Sequence, residues 1–147
     1  MTEPRSGTAP NALLVAIDFS GGARRALDLA LALCPHGEVT ALHVVDTEFA
    51  ARVEGQGLGT AGDVIARLRQ RATEECAWLA QEKGTGAFET MIVEGIPFVE
   101  IIKIAKDLEV DLIVMGLHRA KRVDEILSSS TAEKVLRASH CPVLCVP

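Results

Sequence analysis

Ala12-Leu13-Leu14-Val15-Ala16-Ile17-Asp18-Phe19-Ser20-Gly21-Gly22 is a short apolar run closed by an acidic turn with two glycines. A run of this length with no polar alternation fits a strand covered on both faces, as parallel sheets require. Past the turn, Ala23, Ala26, Leu27, Ala30 and Leu33 recur at helical spacing, Ser20 stands at the capping position, and Pro35 and Gly37 end the segment. A strand therefore leads into a helix through one tight turn.

The same unit recurs along the chain. Val39 to Val45 reads as a second strand and Asp63 to Lys83 as a helix with the stripe Val64, Leu68, Ala72, Cys76, Leu79. Phe88 to Val93 is a third, more polar strand that suits a sheet edge, and Pro97 opens a helix with Ile101, Ile104, Ala105 and Leu108 facing inward. Asp111-Leu112-Ile113-Val114-Met115 is a fourth strand ending at Gly116, a helix runs from about Ser130 to Ala138, and Pro142 to Val146 is a fifth strand. Five strands and four helices in alternation predict an α/β protein: one doubly wound, five-stranded parallel sheet with helices on both faces. Ligands of such sheets bind beyond the carboxyl ends of the strands where strand order reverses, so the loops after the first and fourth strands draw attention. The order itself is not fixed by the sequence.

A chain of 147 residues fits one domain, with residues 1–10, carrying Pro4 and Pro10, as a flexible tail ahead of a domain over 11–147. Apolar residues make up 48% and mean hydropathy is +0.24, too apolar for a disordered chain. Net charge is −5, with one Trp, four Phe and no Tyr, so neither a positive field nor stacking platforms exist to hold nucleic acid. No stretch is apolar enough for a membrane span and the first ten residues hold no signal core, so a cytoplasmic protein is expected. Cys34, Cys76, Cys141 and Cys145 form no CxxC pair and read as reduced thiols, with 141 and 145 expected on a buried strand.

The chemistry gathers around the exit from the fourth strand. Met115-Gly116-Leu117-His118-Arg119-Ala120-Lys121-Arg122 is basic, and the helix beyond opens Ser128-Ser129-Ser130-Thr131-Ala132-Glu133. Ser130 and Glu133 have capping-box spacing, which leaves first-turn N–H groups at Thr131 and Ala132 for an anion, phosphate foremost. The same residues also suit a solvated loop and a simple helix cap.

Here the sequence resembles the universal stress protein family over about residues 11 to 147. The likeness is carried by Val15-Ala16-Ile17-Asp18-Phe19-Ser20, Ala41-Leu42-His43-Val44-Val45-Asp46, Val93-Glu94-Gly95-Ile96-Pro97, Asp111 to Gly116, Glu133-Lys134-Val135-Leu136 and Cys141-Pro142-Val143-Leu144-Cys145-Val146-Pro147. The resemblance implies a Rossmann-like fold of the adenine nucleotide α-hydrolase type and, in one branch, an ATP or other adenine-nucleotide site with Mg²⁺ beside ATP. It places Asp18 near the ribose and the Val44 backbone at adenine, and its phosphate-loop positions fall on Gly116, Arg119, Ser129 and Ser130; Met115 just before that loop and Thr131 at the helix start complete the candidate nucleotide-binding residues. It also implies a homodimer through Val143, Leu144, Cys145 and Val146, at an edge that needs covering. The family's phosphate loop reads G-x-x-G, nine residues, then G-S or G-T. Aligned on Gly116 and Glu133, Arg119 and Ser129 replace two of the three glycines and Ser130 keeps the hydroxyl. A side chain at 119 fills space where main chain would approach phosphate, so the standard ATP geometry is not expected.

Other motifs are set aside. Gly57-Leu58-Gly59-Thr60-Ala61-Gly62 spells G-x-G-x-x-G, but follows no strand directly and reads as a flexible loop or lid. No P-loop is present. His140 with Cys141 and Cys145, and Cys34 with His36, lack zinc-site spacing, and neither His36, His43 nor His118 has a sequence partner that nominates a triad. A receiver-like phosphoacceptor would need a Lys at the last strand, which Pro142 to Pro147 lacks. The expected function is a dimeric stress-response module that binds a nucleotide or a protein partner without dedicated catalytic machinery. The sequence leans to an interaction module with a degenerate nucleotide loop, the alternatives being an adenine-nucleotide binder with a modified loop and a slow ATPase.

Overall fold

The computed structural model describes residues 10–19, 21–84, 86–117 and 131–147. Strand β1 (Ala12–Ala16) leads to helix α1 (Gly21–Leu33), then β2 (Glu38–Asp46), α2 (Thr47–Gly55), α3 (Ala61–Lys83), β3 (Glu89–Gly95), α4 (Pro97–Asp107), β4 (Leu112–Gly116), α5 (Thr131–Ala138) and β5 (Val143–Val146). All recorded pairings are parallel and the order is β3-β2-β1-β4-β5. The chain first winds outward from β1 through β2 to β3, then crosses back to place β4 on the other side of β1. Strand order therefore reverses between β1 and β4.

Successive side chains of a strand point to opposite faces, and β1 divides its apolar residues accordingly. Leu13, Val15 and Ile17 pack with Ala23, Ala26, Leu27 and Ala30 of α1 and Leu79 of α3. Leu14 packs on the other face with Ile113, Met115, Ile101 and Ala105 of α4, and Ala132 and Val135 of α5. The absence of polar alternation in β1 follows from this double cover. Away from the reversal point, the Asp111 carboxylate accepts the N–H groups of Asn11 and Ala12, each at 2.9 Å, while the Asp111 N–H donates to the Ala12 carbonyl at 2.8 Å. These bonds fix β1 and β4 side by side at their starts.

The polar third strand is at an edge, as its composition predicts, and Arg69 of α3 ties it down through Glu94 at 3.2 Å and the Ile92 carbonyl at 3.3 Å. Three local expectations are corrected. Between β2 and the long helix the chain forms α2, because the Asp46 carboxylate accepts from Glu48 N–H at 3.0 Å and Phe49 N–H at 3.1 Å and so caps a new helix. The described residues thus hold five helices. Leu108 does not face inward: α4 ends at Asp107, the chain turns through Glu109 at φ 51°, and Val110 takes the buried place while Leu108 stays 41% exposed. Cys141 precedes β5, and Cys141 and Cys145 are half-buried, because β5 is an edge strand packed on one side by β4.

Candidate functional site

A cavity of about 510 Å³ opens at the carboxyl ends of β1, β2 and β4, at the point of strand reversal. This is within the range of small-molecule sites. Ala16, Leu42, Met115 and Ile101 supply apolar wall, Asp18 and Asp46 stand among the lining residues, and Thr131 and Ala132 bring the first turn of α5. Helix N-termini present N–H groups and positive partial charge, which suits an anion.

Val44 owes its role in this wall to a difference in strand length. The β1–β2 register ends at Ala16 opposite Leu42, and the last main-chain bond between them runs from Ile17 N–H to the Leu42 carbonyl at 2.8 Å. Beyond it β1 turns away while β2 continues, paired on its other side with β3 as far as Asp46 opposite Gly95. Alternate residues of a parallel strand address the same neighbour, so the main-chain N–H and C=O of Val44 point toward the side that β1 has left. A donor and an acceptor on one residue thus border the cavity.

The turn leaving β1 is held from β2. His43 Nδ1 lies 2.7 Å from the Ile17 carbonyl oxygen, and its ring stacks on Phe19 with centroids 4.7 Å apart and planes tilted by 32°. Phe19 adopts φ 66°, a conformation uncommon outside glycine and strained for an aromatic residue. His43, without a partner in sequence, has a main-chain one in the fold.

Of the residues nominated from sequence, Asp18, Val44, Met115, Gly116 and Thr131 line this one cavity. Arg119, Ser129 and Ser130, together with Ser20, His118, Lys121, Arg122 and the tail over 1–9, lie outside the described residues. Sequence reasoning missed Phe49, Leu68, Pro97 and Leu117, which also line it. Phe49 had a signal: it sits three residues after Asp46, a capping residue in front of a helix-compatible stretch. The literal G-x-G-x-x-G is split between the turn at Gly57 and Gly59, both at positive φ, and the first turn of α3, which Thr60 caps. Among the described residues no three His, Cys, Asp or Glu side chains converge as a metal site, and no helix is long and apolar enough to cross a membrane.

The profile of the universal stress protein family matches residues 11–147. The chain belongs to the universal stress protein family. Universal stress protein MJ0577 of Methanocaldococcus jannaschii is 35% identical over 150 residues, an alignment covering 91% of this chain and 93% of that protein. The solved structure of MJ0577 superposes with a TM-score of 0.76 at 34% identity over 92% of this chain and 94% of that one. Universal stress protein MJ0531 of the same organism is 34% identical over 110 residues, covering 74% of this chain and 64% of that protein. A universal stress protein solved in complex with cAMP shares the fold, with a TM-score of 0.63 at 20% identity over 95% of this chain and 98% of that one. The sheet order of this universal stress protein chain places its reversal point at the cavity just described.

Proposed function

We propose that the protein binds an adenine nucleotide in the crevice between β1 and β4, gripping the nucleoside more firmly than the outer phosphates, and acts as a binding module. The observation that carries this reading is Val44, whose N–H and C=O border the cavity where β1 has turned away. Adenine offers a ring-nitrogen acceptor beside an amino donor, which such a main-chain pair can meet. Leu42, Ile101, Met115 and Phe49 would cover its faces, Asp18 would accept from ribose hydroxyls, and the start of α5 at Thr131 would receive the first phosphate.

The phosphate end is where this chain departs from its family. Arg119 and Ser129 stand at two of the three glycine positions, so outer phosphates and a Mg²⁺ between them gain fewer main-chain contacts. Two copies would pair through β5, whose outer edge carries Val143 and Cys145, and a protein partner reading the loaded state would complete the module.

Calorimetric titration with AMP, ADP, ATP and cAMP, with and without Mg²⁺, tests the reading. AMP is expected to bind, and ATP to bind within about threefold of it. No heat and no thermal shift with any of them at millimolar concentration would leave a nucleotide-free interaction module. Turnover of ATP would make the protein an enzyme.

A further inference from the structure

We propose that His43 is a positioning residue that frees the Val44 amide for a ligand by taking over its place at the end of the β1–β2 ladder. The inference rests on the nucleotide-binding reading for its ligand, but its structural step stands on the described bonds alone.

In a parallel ladder, a residue that donates its N–H to one carbonyl of the neighbouring strand accepts at its own carbonyl from the N–H two residues further on. Ile17 donates to the Leu42 carbonyl at 2.8 Å, so its own carbonyl is due to receive the Val44 N–H. Among the described residues the main-chain ladder stops at the Leu42 bond, and the Ile17 carbonyl meets His43 Nδ1 at 2.7 Å. A carbonyl only accepts, so Nδ1 carries the proton and donates. The imidazole of one residue thus replaces the main-chain N–H of the next. The Ile17 carbonyl keeps a partner, and the Val44 N–H is left facing the crevice.

Phe19 explains why β1 can leave at this point. Its φ of 66° would be costly alone, and the contact between its ring and the His43 ring, with centroids 4.7 Å apart, holds the turn that carries Asp18 to the cavity wall. Donor and ring face of one imidazole together hold the turn: the first satisfies Ile17, the second supports Phe19. If the donor were lost, the shortest remedy would be for Ile17 to draw in the Val44 N–H, closing the ladder across the ligand's recognition edge.

Two variants separate the roles. His43→Phe keeps a ring for Phe19 and removes the donor, and His43→Asn places an amide N–H near the position of Nδ1. The expected results are a roughly tenfold loss of AMP affinity in His43→Phe, as for one lost polar contact, and recovery to within about threefold of the parent in His43→Asn. In the ligand-free protein, nitrogen NMR of His43 is expected to show protonation at Nδ1. Amide exchange at Val44 is expected to be fast in the parent and His43→Asn, and slowed in His43→Phe. A His43 protonated only at Nε2, or a Val44 amide as protected in the parent as in His43→Phe, would overturn the inference. If the parent binds no adenine nucleotide, the functional reading fails by itself, and the two ligand-free NMR measurements still decide the role of His43.

Discussion

Gly22 and Gly116 meet backbone to backbone where α1 begins and β4 ends: a Cβ on Gly116 would stand 2.5 Å from the Gly22 carbonyl carbon and 2.5 Å from the Ala23 nitrogen. A Cβ on Gly22 would in turn meet the Leu117 oxygen at 3.2 Å. Both atoms nearest Gly116 are main chain, which cannot step aside as a side chain tip can. Gly116→Ala is therefore expected to cost about 1–3 kcal/mol of stability, as overpacking does, and Gly22→Ala less. Urea denaturation of both variants measures this; equal, negligible losses would show that α1 and β4 can separate freely.

Asp46 ties α2 to the end of β2 by accepting two N–H groups with one oxygen. Its replacement by Ala is expected to cost about 1 kcal/mol, the usual value of a lost cap. Because Phe49 rides on the capped turn and lines the cavity, AMP affinity should fall as well. Hydrogen exchange over residues 47–53, measured beside calorimetry, distinguishes a frayed helix from an effect on binding alone.

Burial, and secondarily the negative charge of Glu75, raise the Cys76 thiol above its ordinary range. A thiol that holds its proton longer in the folded chain stabilises that chain fully below the unfolded thiol value of about 8.5. The contribution is lost as pH rises through the higher folded value. Stability should accordingly fall on the alkaline side, and Cys76→Ala should flatten that fall while lowering stability at neutral pH through the cavity it leaves. Denaturation midpoints across a pH series check both parts. Burial raises Cys145 in the same direction.

The double substitution Arg119→Gly and Ser129→Gly restores two glycine positions of the family loop. It is expected to raise affinity for ATP more than for AMP, since only the outer phosphates gain main-chain donors. Calorimetry with both nucleotides reads the ratio. An unchanged ratio would remove the steric account of these two side chains.

In β5, the carbonyls of Pro142 and Val146 accept from Ile113 and Leu117 of the β4 side, at 3.0 and 2.7 Å. Alternation then turns the N–H groups of Val143 and Cys145 outward. Cys145→Pro removes an outward donor while sparing the bonds to β4, so it should dissociate a dimer formed along this edge. Light scattering coupled to size exclusion is expected to show a dimer for the parent and a monomer for the variant.

The units of the fold were legible wherever burial on both faces leaves a continuous mark. Leu13 to Val15 and Ile113 to Met115 are uniformly apolar because helices cover them above and below. Glu89 to Gly95 is polar because it is an edge strand. Helix α2 was not legible: Ala50 is its one buried residue, so no apolar stripe announces it, and the signal lies in the Asp46 cap alone. Strand order depends on which helix finds which face, a non-local matter with no local pattern. Within the site, Gly116 follows from its place at a strand end, while Asp18, whose position before a helix also suits a simple turn cap, was nominated as a ligand residue through resemblance. Val44 was likewise reached through resemblance, because its exposure to the cavity depends on where a different strand stops.

The Asp111 carboxylate bears on the stiffness of the proposed site. It clasps β1 and β4 together at the ends remote from the crevice, and their parallel ladder from Leu13 opposite Leu112 to Ala16 opposite Met115 carries that pairing up to the opening, so the sheet side of the crevice is an anvil. For the nucleotide proposed above, any adjustment to its thickness would then fall to the opposite jaw, α2 with Phe49, which continues into α3 through Gly57 and Gly59, both at positive φ.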